Sequence, residues 1–307
     1  MSASKRAGVD DEEWEYDAEE WEYEEDPDEE DSAEWEDEEW DDEEDDVARG
    51  PGPPGRGLAV GVVAMLPLFL AYDLAVDGPD GPRSVAEAIL TRPLEPLGAE
   101  ALSMARRASL AVAALGCFIA FAVAHRHAGG PSLAQRVGVV VLEGAICALL
   151  LGPLLLGASR LAEPWVGAMM VGTPGGPAPT LERAGFVMGS AAYEEIVFRI
   201  GALSVVWLVA KAVLHWLGAG ERASAWGATL AGIVLSSLLF SAFHLGAWTA
   251  WLGPGGEPFD AAVFTWRTSA GILLAVLFLW RGVGVAAWAH ASFNLALLLG
   301  AGANSIP

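Results

Sequence analysis

Beyond about residue 56 the chain alternates between long apolar runs and short polar breaks, with no stretch of strict apolar–polar alternation that would signal a strand. A spanning helix needs about 20 mostly apolar residues. Runs approaching that length cover about Leu58–Val76, Leu110–Ala124, Val137–Ala158, Ala184–Leu217, Ala223–Leu245, Ala261–Trp280 and Val283–Gly300. The fourth is long enough for one tilted helix or for a short helix followed by a longer one. Seven or eight helices are therefore expected, and the one sizeable polar insertion is the loop of about residues 77–105. Only helices and closed barrels satisfy their backbone groups in lipid, so this pattern predicts an all-α, polytopic transmembrane bundle.

Composition divides the chain in two. Of 307 residues 53% are hydrophobic and mean hydropathy is +0.37, yet the formal net charge is -24. Residues 1–50 hold 27 of the 41 acidic groups and 3 of the 17 basic ones, so the remainder is neutral. A run such as EEWEYDAEEWEYEEDPDEED cannot bury enough apolar surface to offset its ordering entropy, and residues 1–50 are expected to form a disordered acidic tail. Trp14-Glu15-Tyr16 recurs as Trp21-Glu22-Tyr23, an acidic-aromatic alternation suited to a solvated appendage or to a basic partner. The tail lacks the apolar core of a signal peptide, and cleavage there is not expected. The expected divisions are the tail at 1–50, N-terminal transmembrane helices at 57–175 and a catalytic transmembrane region at 180–303. Lys and Arg divide almost evenly between alternate loops, which leaves orientation undecided. Cys117 and Cys147 lie in apolar runs without metal or redox spacing and read as packing residues. Glu143 reads as a hydrogen-bonded helix contact, and Asp73, beside Tyr72 near a helix end, as interfacial.

Against this background six polar side chains are out of place: Glu194, Glu195, Arg199, His244, His290 and Asn294, distributed over three late apolar runs. A charged group at the bilayer centre costs about 2.5–3.5 kcal/mol on insertion scales, so several in three segments imply a shared, hydrated site. Adjacent residues on a helix diverge by about 100°, which gives Glu194 and Glu195 different tasks. Glu195 and Arg199 are spaced for a buried ion pair, leaving Glu194 to face the cavity. Phe240 lies one turn before His244 and can shield it from lipid, while His290 and Asn294 project from one helix face. A carboxylate and an imidazole can together activate water and protonate a leaving amine. A second imidazole and an amide can stabilise an oxyanion. Two His and one carboxylate are also a zinc set with a position left for water, so the cofactor is either none or one divalent metal such as zinc. Its candidate ligands are Glu194, Glu195, His244 and His290.

The three motifs EEIVFR (Glu194 to Arg199), FSAFH (Phe240 to His244) and HASFN (His290 to Asn294) resemble EExxxR, FxxxH and HxxxN. In this order and in membrane segments, they resemble the CPBP intramembrane proteases, which include type II CAAX prenyl endopeptidases and bacteriocin-processing or Abi-like immunity proteins. The resemblance covers about residues 180–300. It implies that Glu194 is the base and His244 its partner, that His290 and Asn294 stabilise the oxyanion, and that Glu195, Arg199 and Phe240 support the site. It implies an intramembrane endopeptidase acting on a membrane-associated or prenylated-type peptide, in the cytoplasmic membrane of a bacterium. Membrane lipid and a peptide or protein substrate are the expected partners, with a basic protein for the tail and no nucleic acid. A non-proteolytic scaffold or immunity factor is the alternative, and a proton-conducting transporter comes third.

Overall fold

The computed structural model describes residues 54–76, 83–128, 132–166, 179–252 and 256–303. The expectations for the acidic tail lie outside these. Among the described residues there are ten α-helices: α1 (Pro54–Ala75), α2 (Val85–Thr91), α3 (Ala99–Ala128), α4 (Leu133–Val166), α5 (Leu181–Glu195), α6 (Ser204–Trp216), α7 (Glu221–Ala242), the single turn α8 (Gly246–Thr249), α9 (Ala261–Arg281) and α10 (Val283–Ala303). Among the described residues no strand occurs, and the one β-bridge joins Leu245 to Glu257.

Among the described residues six helical stretches are long and apolar enough to cross a membrane: α1, α4, the rod running from α5 into α6, α7, α9 and α10. The chain is an integral, multi-pass membrane protein. The seventh long helix, α3, carries Arg106-Arg107 near its start and His125-Arg126-His127 near its end, which frame the apolar run read from the sequence. The run 184–217 is resolved in favour of one continuous rod, Leu181–Trp216, of 36 residues. At 1.5 Å per residue it is about 54 Å long, more than a bilayer core, and so must tilt or project.

That rod is not uniformly α-helical. Ile196–Leu203 winds as π-helix, beginning at the residue after Glu195 and burying Phe198, Arg199 and Leu203. Segments of π-helix are rare and concentrate at functional sites, because the wider turn re-aims side chains that α-geometry would fix.

Close backbone contacts set how the rod packs. A Cβ on Gly189 would stand 2.2 Å from Tyr72 Cβ and 2.7 Å from the Leu68 carbonyl oxygen, and one on Gly185 would meet the Ala71 carbonyl at 2.6 Å. Only hydrogen side chains permit α1 and α5 to lie this near, running antiparallel. On its other flank α1 runs parallel to α10, where Gly61 meets Gly284 and Trp288 Nε1 donates to the Ala64 carbonyl at 2.7 Å. The main apolar cluster fills the seam between these three helices with Met65, Leu68, Phe69, Tyr72, Tyr193, Val283 and Ala287. Glu143 of α4 pairs with Arg281 at the end of α9, the helix contact expected for it. Asp73, two residues before the end of α1, pairs with Arg106 at 2.5 Å and Arg107 at 2.8 Å. Two arginines about two turns into α3 neutralise the carboxylate.

Candidate active site

The three motif-bearing elements meet around the ring of Phe240. This ring lies 5.0 Å from that of His244, 5.8 Å from that of His290 and 5.3 Å from that of Phe198, all edge to face, and 5.4 Å from the Arg199 guanidinium carbon. Its role is larger than shielding His244 from lipid: it is the apolar floor shared by both imidazoles and the arginine.

Glu195 is fully buried and faces two partners from one carboxylate. Its Oε2 lies 3.2 Å from Arg199 Nε, the ion pair read from the spacing. Its Oε1 accepts from His290 Nδ1 at 2.9 Å, a contact across 95 residues of sequence. A buried carboxylate can be accommodated only if paired and hydrogen-bonded, and Glu195 achieves this by tying α5 to α10. Arg199 is likewise fully buried, and its guanidinium nitrogens make no hydrogen bond to the described residues. The charge is held by Glu195 and by the Phe240 face.

Glu194 occupies the neighbouring direction, as the angular argument requires. Its Oε2 stands 3.5 Å from His290 Nε2, and its side chain keeps 14% of its surface exposed whereas Glu195 keeps none. The two adjacent glutamates thus address opposite nitrogens of one imidazole. With Nδ1–H donating to Glu195, His290 donates at Nε2 only when the ring carries both protons.

His244 falls two residues after the last residue of α7, in the start of a short loop. Its Nδ1 lies 2.8 Å from the Phe240 carbonyl oxygen, which can only accept. The proton therefore sits on Nδ1 and Nε2 carries a lone pair. Burial lowers the proton affinity of this ring from the usual imidazole value, Arg267 adds to the effect, and the charges of Glu194 and Glu257 oppose it.

The loop holding His244 closes on itself. Glu257 N–H donates to the His244 carbonyl at 2.9 Å, and Gly246 N–H donates to the Glu257 carbonyl at 3.0 Å. Gly256 makes the return possible: its φ is +98°, and a Cβ there would be 2.5 Å from Gly246 Cα. The Glu257 carboxylate is fixed by Arg267 of α9 at 2.7 Å, which lowers its own proton affinity. Ser241 Oγ donates to the Phe264 carbonyl at 2.8 Å and binds the end of α7 to α9. Glu257 was not marked by sequence reasoning; an acidic residue following Gly-Pro-Gly-Gly reads as loop surface.

Asn294 follows His290 by one turn of α10, half-buried, and its carboxamide makes no hydrogen bond to the described residues. No three His, Cys, Asp or Glu side chains among the described residues converge closely enough to hold a metal ion. The Nδ1 bonds, to Glu195 for His290 and to a carbonyl for His244, leave Nε2 of both rings open.

Two carboxylates and two imidazoles thus gather among membrane helices, where each is costly to hold. Residues 177–296 match the family model of the type II CAAX prenyl endopeptidase Rce1-like proteins. Over that segment, which carries all three motifs, the chain has the sequence pattern of this family. No curated protein and no solved structure matches the chain.

Proposed function

We propose that the chain is an intramembrane endopeptidase that hydrolyses a peptide bond by water activated between Glu194 and His244. The observation that carries the reading is the convergence of the motif segments: Glu194 lies 3.5 Å from His290, and the rings of His290 and His244 both pack on Phe240. The family match over residues 177–296 supports peptide hydrolysis as the reaction.

The chemistry follows from which atoms are free. Water between the two groups has two acceptors for its protons, the Glu194 carboxylate and the bare Nε2 of His244, which turns an oxygen lone pair toward the substrate. Attack on the scissile carbonyl carbon passes one water proton to this pair and places negative charge on the carbonyl oxygen. His290 Nε2–H, when that ring is doubly protonated, and the Asn294 amide are the donors for this oxygen. Collapse breaks the C–N bond, and the proton taken from water goes to the leaving amine. Glu195 holds the His290 ring, and Arg199 balances Glu195. A membrane-associated or prenylated-type peptide is the substrate class, and the cytoplasmic membrane of a bacterium the setting.

The test is cleavage of a membrane-anchored peptide library by purified protein in liposomes, comparing wild type with Glu194→Gln, each with and without a chelator. The reading expects product from wild type in both conditions and none from the variant. Equal behaviour of wild type and Glu194→Gln would return the molecule to the class of scaffolds or immunity factors, and loss of wild-type product on chelation would require a metal.

A further inference from the structure

Glu87, on α2 and far in sequence from residues 177–296, has a carboxylate with no exposed surface that the reaction above does not use. Its Oε2 accepts from the Tyr72 hydroxyl at 2.7 Å and its Oε1 from Arg106 Nη1 at 3.0 Å. Tyr72 Oη in turn accepts from Ser84 N–H at 2.7 Å, and Ser84 Oγ caps α2 by accepting from Glu87 N–H at 3.1 Å. Arg106 reaches on to Asp73 at 2.5 Å. One carboxylate thereby closes a ring through α1, α2 and α3. At 7 residues α2 is too short to persist alone, so these bonds decide where it lies.

The ring leans on the catalytic helix. Tyr72 stacks on Phe186 at 5.6 Å and meets the edge of Tyr193 at 5.0 Å, and Tyr193 directly precedes Glu194. Gly189 gives Tyr72 its place against the α5 backbone, and Ala86, beside Glu87, shares the apolar cluster of Ala191, Ala192 and Tyr193. On its other side α2 touches the turn Ala250–Leu252, which follows His244. The element fixed by Glu87 therefore abuts both segments that present the water-activating groups. A well-packed apolar side chain would stabilise such a site as well as a buried charge does, so stability alone is a weak reason for a carboxylate here.

We propose that Glu87 is a positioning residue: by closing the Tyr72–Ser84–Arg106 ring it sets α2 between α5 and the loop after His244, and so fixes the separation of Glu194 from His244. The assignment rests on the endopeptidase reading. Displacements near 1 Å in a reacting geometry lower rates by about 10²-fold, while substrate contacts made elsewhere are unaffected.

The experiment measures kcat, KM and thermal midpoint in liposomes for wild type, Glu87→Gln, Tyr72→Phe, the double variant, Glu194→Gln and Glu143→Gln. Glu87→Gln keeps side-chain shape and an acceptor for Tyr72 but loses the ion pair; Tyr72→Phe keeps the ring packing and stands in if Glu87→Gln does not fold. The expected result is a kcat lowered about 10- to 100-fold with KM changed less than about twofold, non-additive in the double variant. Glu143→Gln, which breaks the pair with Arg281 at the other end of the bundle, is expected to lower the midpoint with kcat unchanged. If Glu87→Gln and Tyr72→Phe lower only the midpoint, like Glu143→Gln, the residue is a fold anchor and the proposal is overturned while the endopeptidase reading stands. If Glu194→Gln is as active as wild type, both fall together.

Discussion

Glu195 is the point at which stability and catalysis can be separated. Its carboxylate serves Arg199 Nε at 3.2 Å and His290 Nδ1 at 2.9 Å, with all three groups buried. Glu195→Leu strands a guanidinium in the bundle, and removal of one partner from a buried pair costs about 3–5 kcal/mol. The cation–π contact with Phe240 persists in both proteins and does not change that difference. Converting the second partner as well, in Glu195→Leu/Arg199→Met, removes the stranded charge, so most of that about 3–5 kcal/mol should return, and with it the thermal midpoint. Catalysis should not return, because His290 still lacks the acceptor that fixes its tautomer and orientation; removal of such an acceptor lowers turnover by about 10²- to 10⁴-fold. Glu195→Gln/Arg199→Met should recover part of the rate, since a carboxamide oxygen can accept from Nδ1 once no guanidinium competes for it. The assay is thermal unfolding alongside initial cleavage rates in the same liposomes. A Leu/Met double variant that is both stable and as fast as wild type would refute the orienting role of Glu195.

Other outcomes follow from single features. Because burial depresses the proton affinity of His244, its contribution to stability is complete above about pH 6.5 and is lost as pH falls through its lower folded value; the midpoint of wild type should decline over that window, measured by unfolding against pH, and less so in His244→Phe. Gly189→Ala drives a Cβ to 2.2 Å from Tyr72, parts α1 from α5 and should lower stability by about 1–3 kcal/mol, more than Gly138→Ala, whose Cβ meets nothing within 4 Å. Deleting residues 1–46 should leave the cleavage rate of the purified protein unchanged, and a large drop would bring the acidic segment into the catalytic machinery.

What could be read in advance was what depends on short-range spacing. Apolar runs located the spanning helices because lipid imposes length and composition on each one separately. The pairs four residues apart, Glu195 with Arg199 and Phe240 with His244, are neighbours because one helical turn makes them so. Contacts between distant segments were out of reach: Glu195 with His290, Trp288 with Ala64, and Arg281 with Glu143 depend on helix order and register that no local pattern encodes. The polar loop 77–105 concealed α2 for a related reason, since Val85–Thr91 is too short for a clear helical period and Glu87 reads as solvated until Tyr72 and Arg106 are brought around it. The π-helical turn was invisible as well, because residues 196–203 have an apolar composition that an ordinary α-helix shares.

The central claim is that one oxygen of the tetrahedral intermediate faces Glu194 and His244 while the other faces His290 and Asn294. An experimental structure with a membrane-anchored peptide phosphinate, whose two oxygens mimic those of the intermediate, tests this most directly. The account predicts one phosphinate oxygen within hydrogen-bond distance of Glu194 and His244 Nε2 and the second within reach of His290 Nε2 and the Asn294 amide. A phosphinate bound away from Phe240, or Glu194 turned toward lipid with the inhibitor in place, would contradict it.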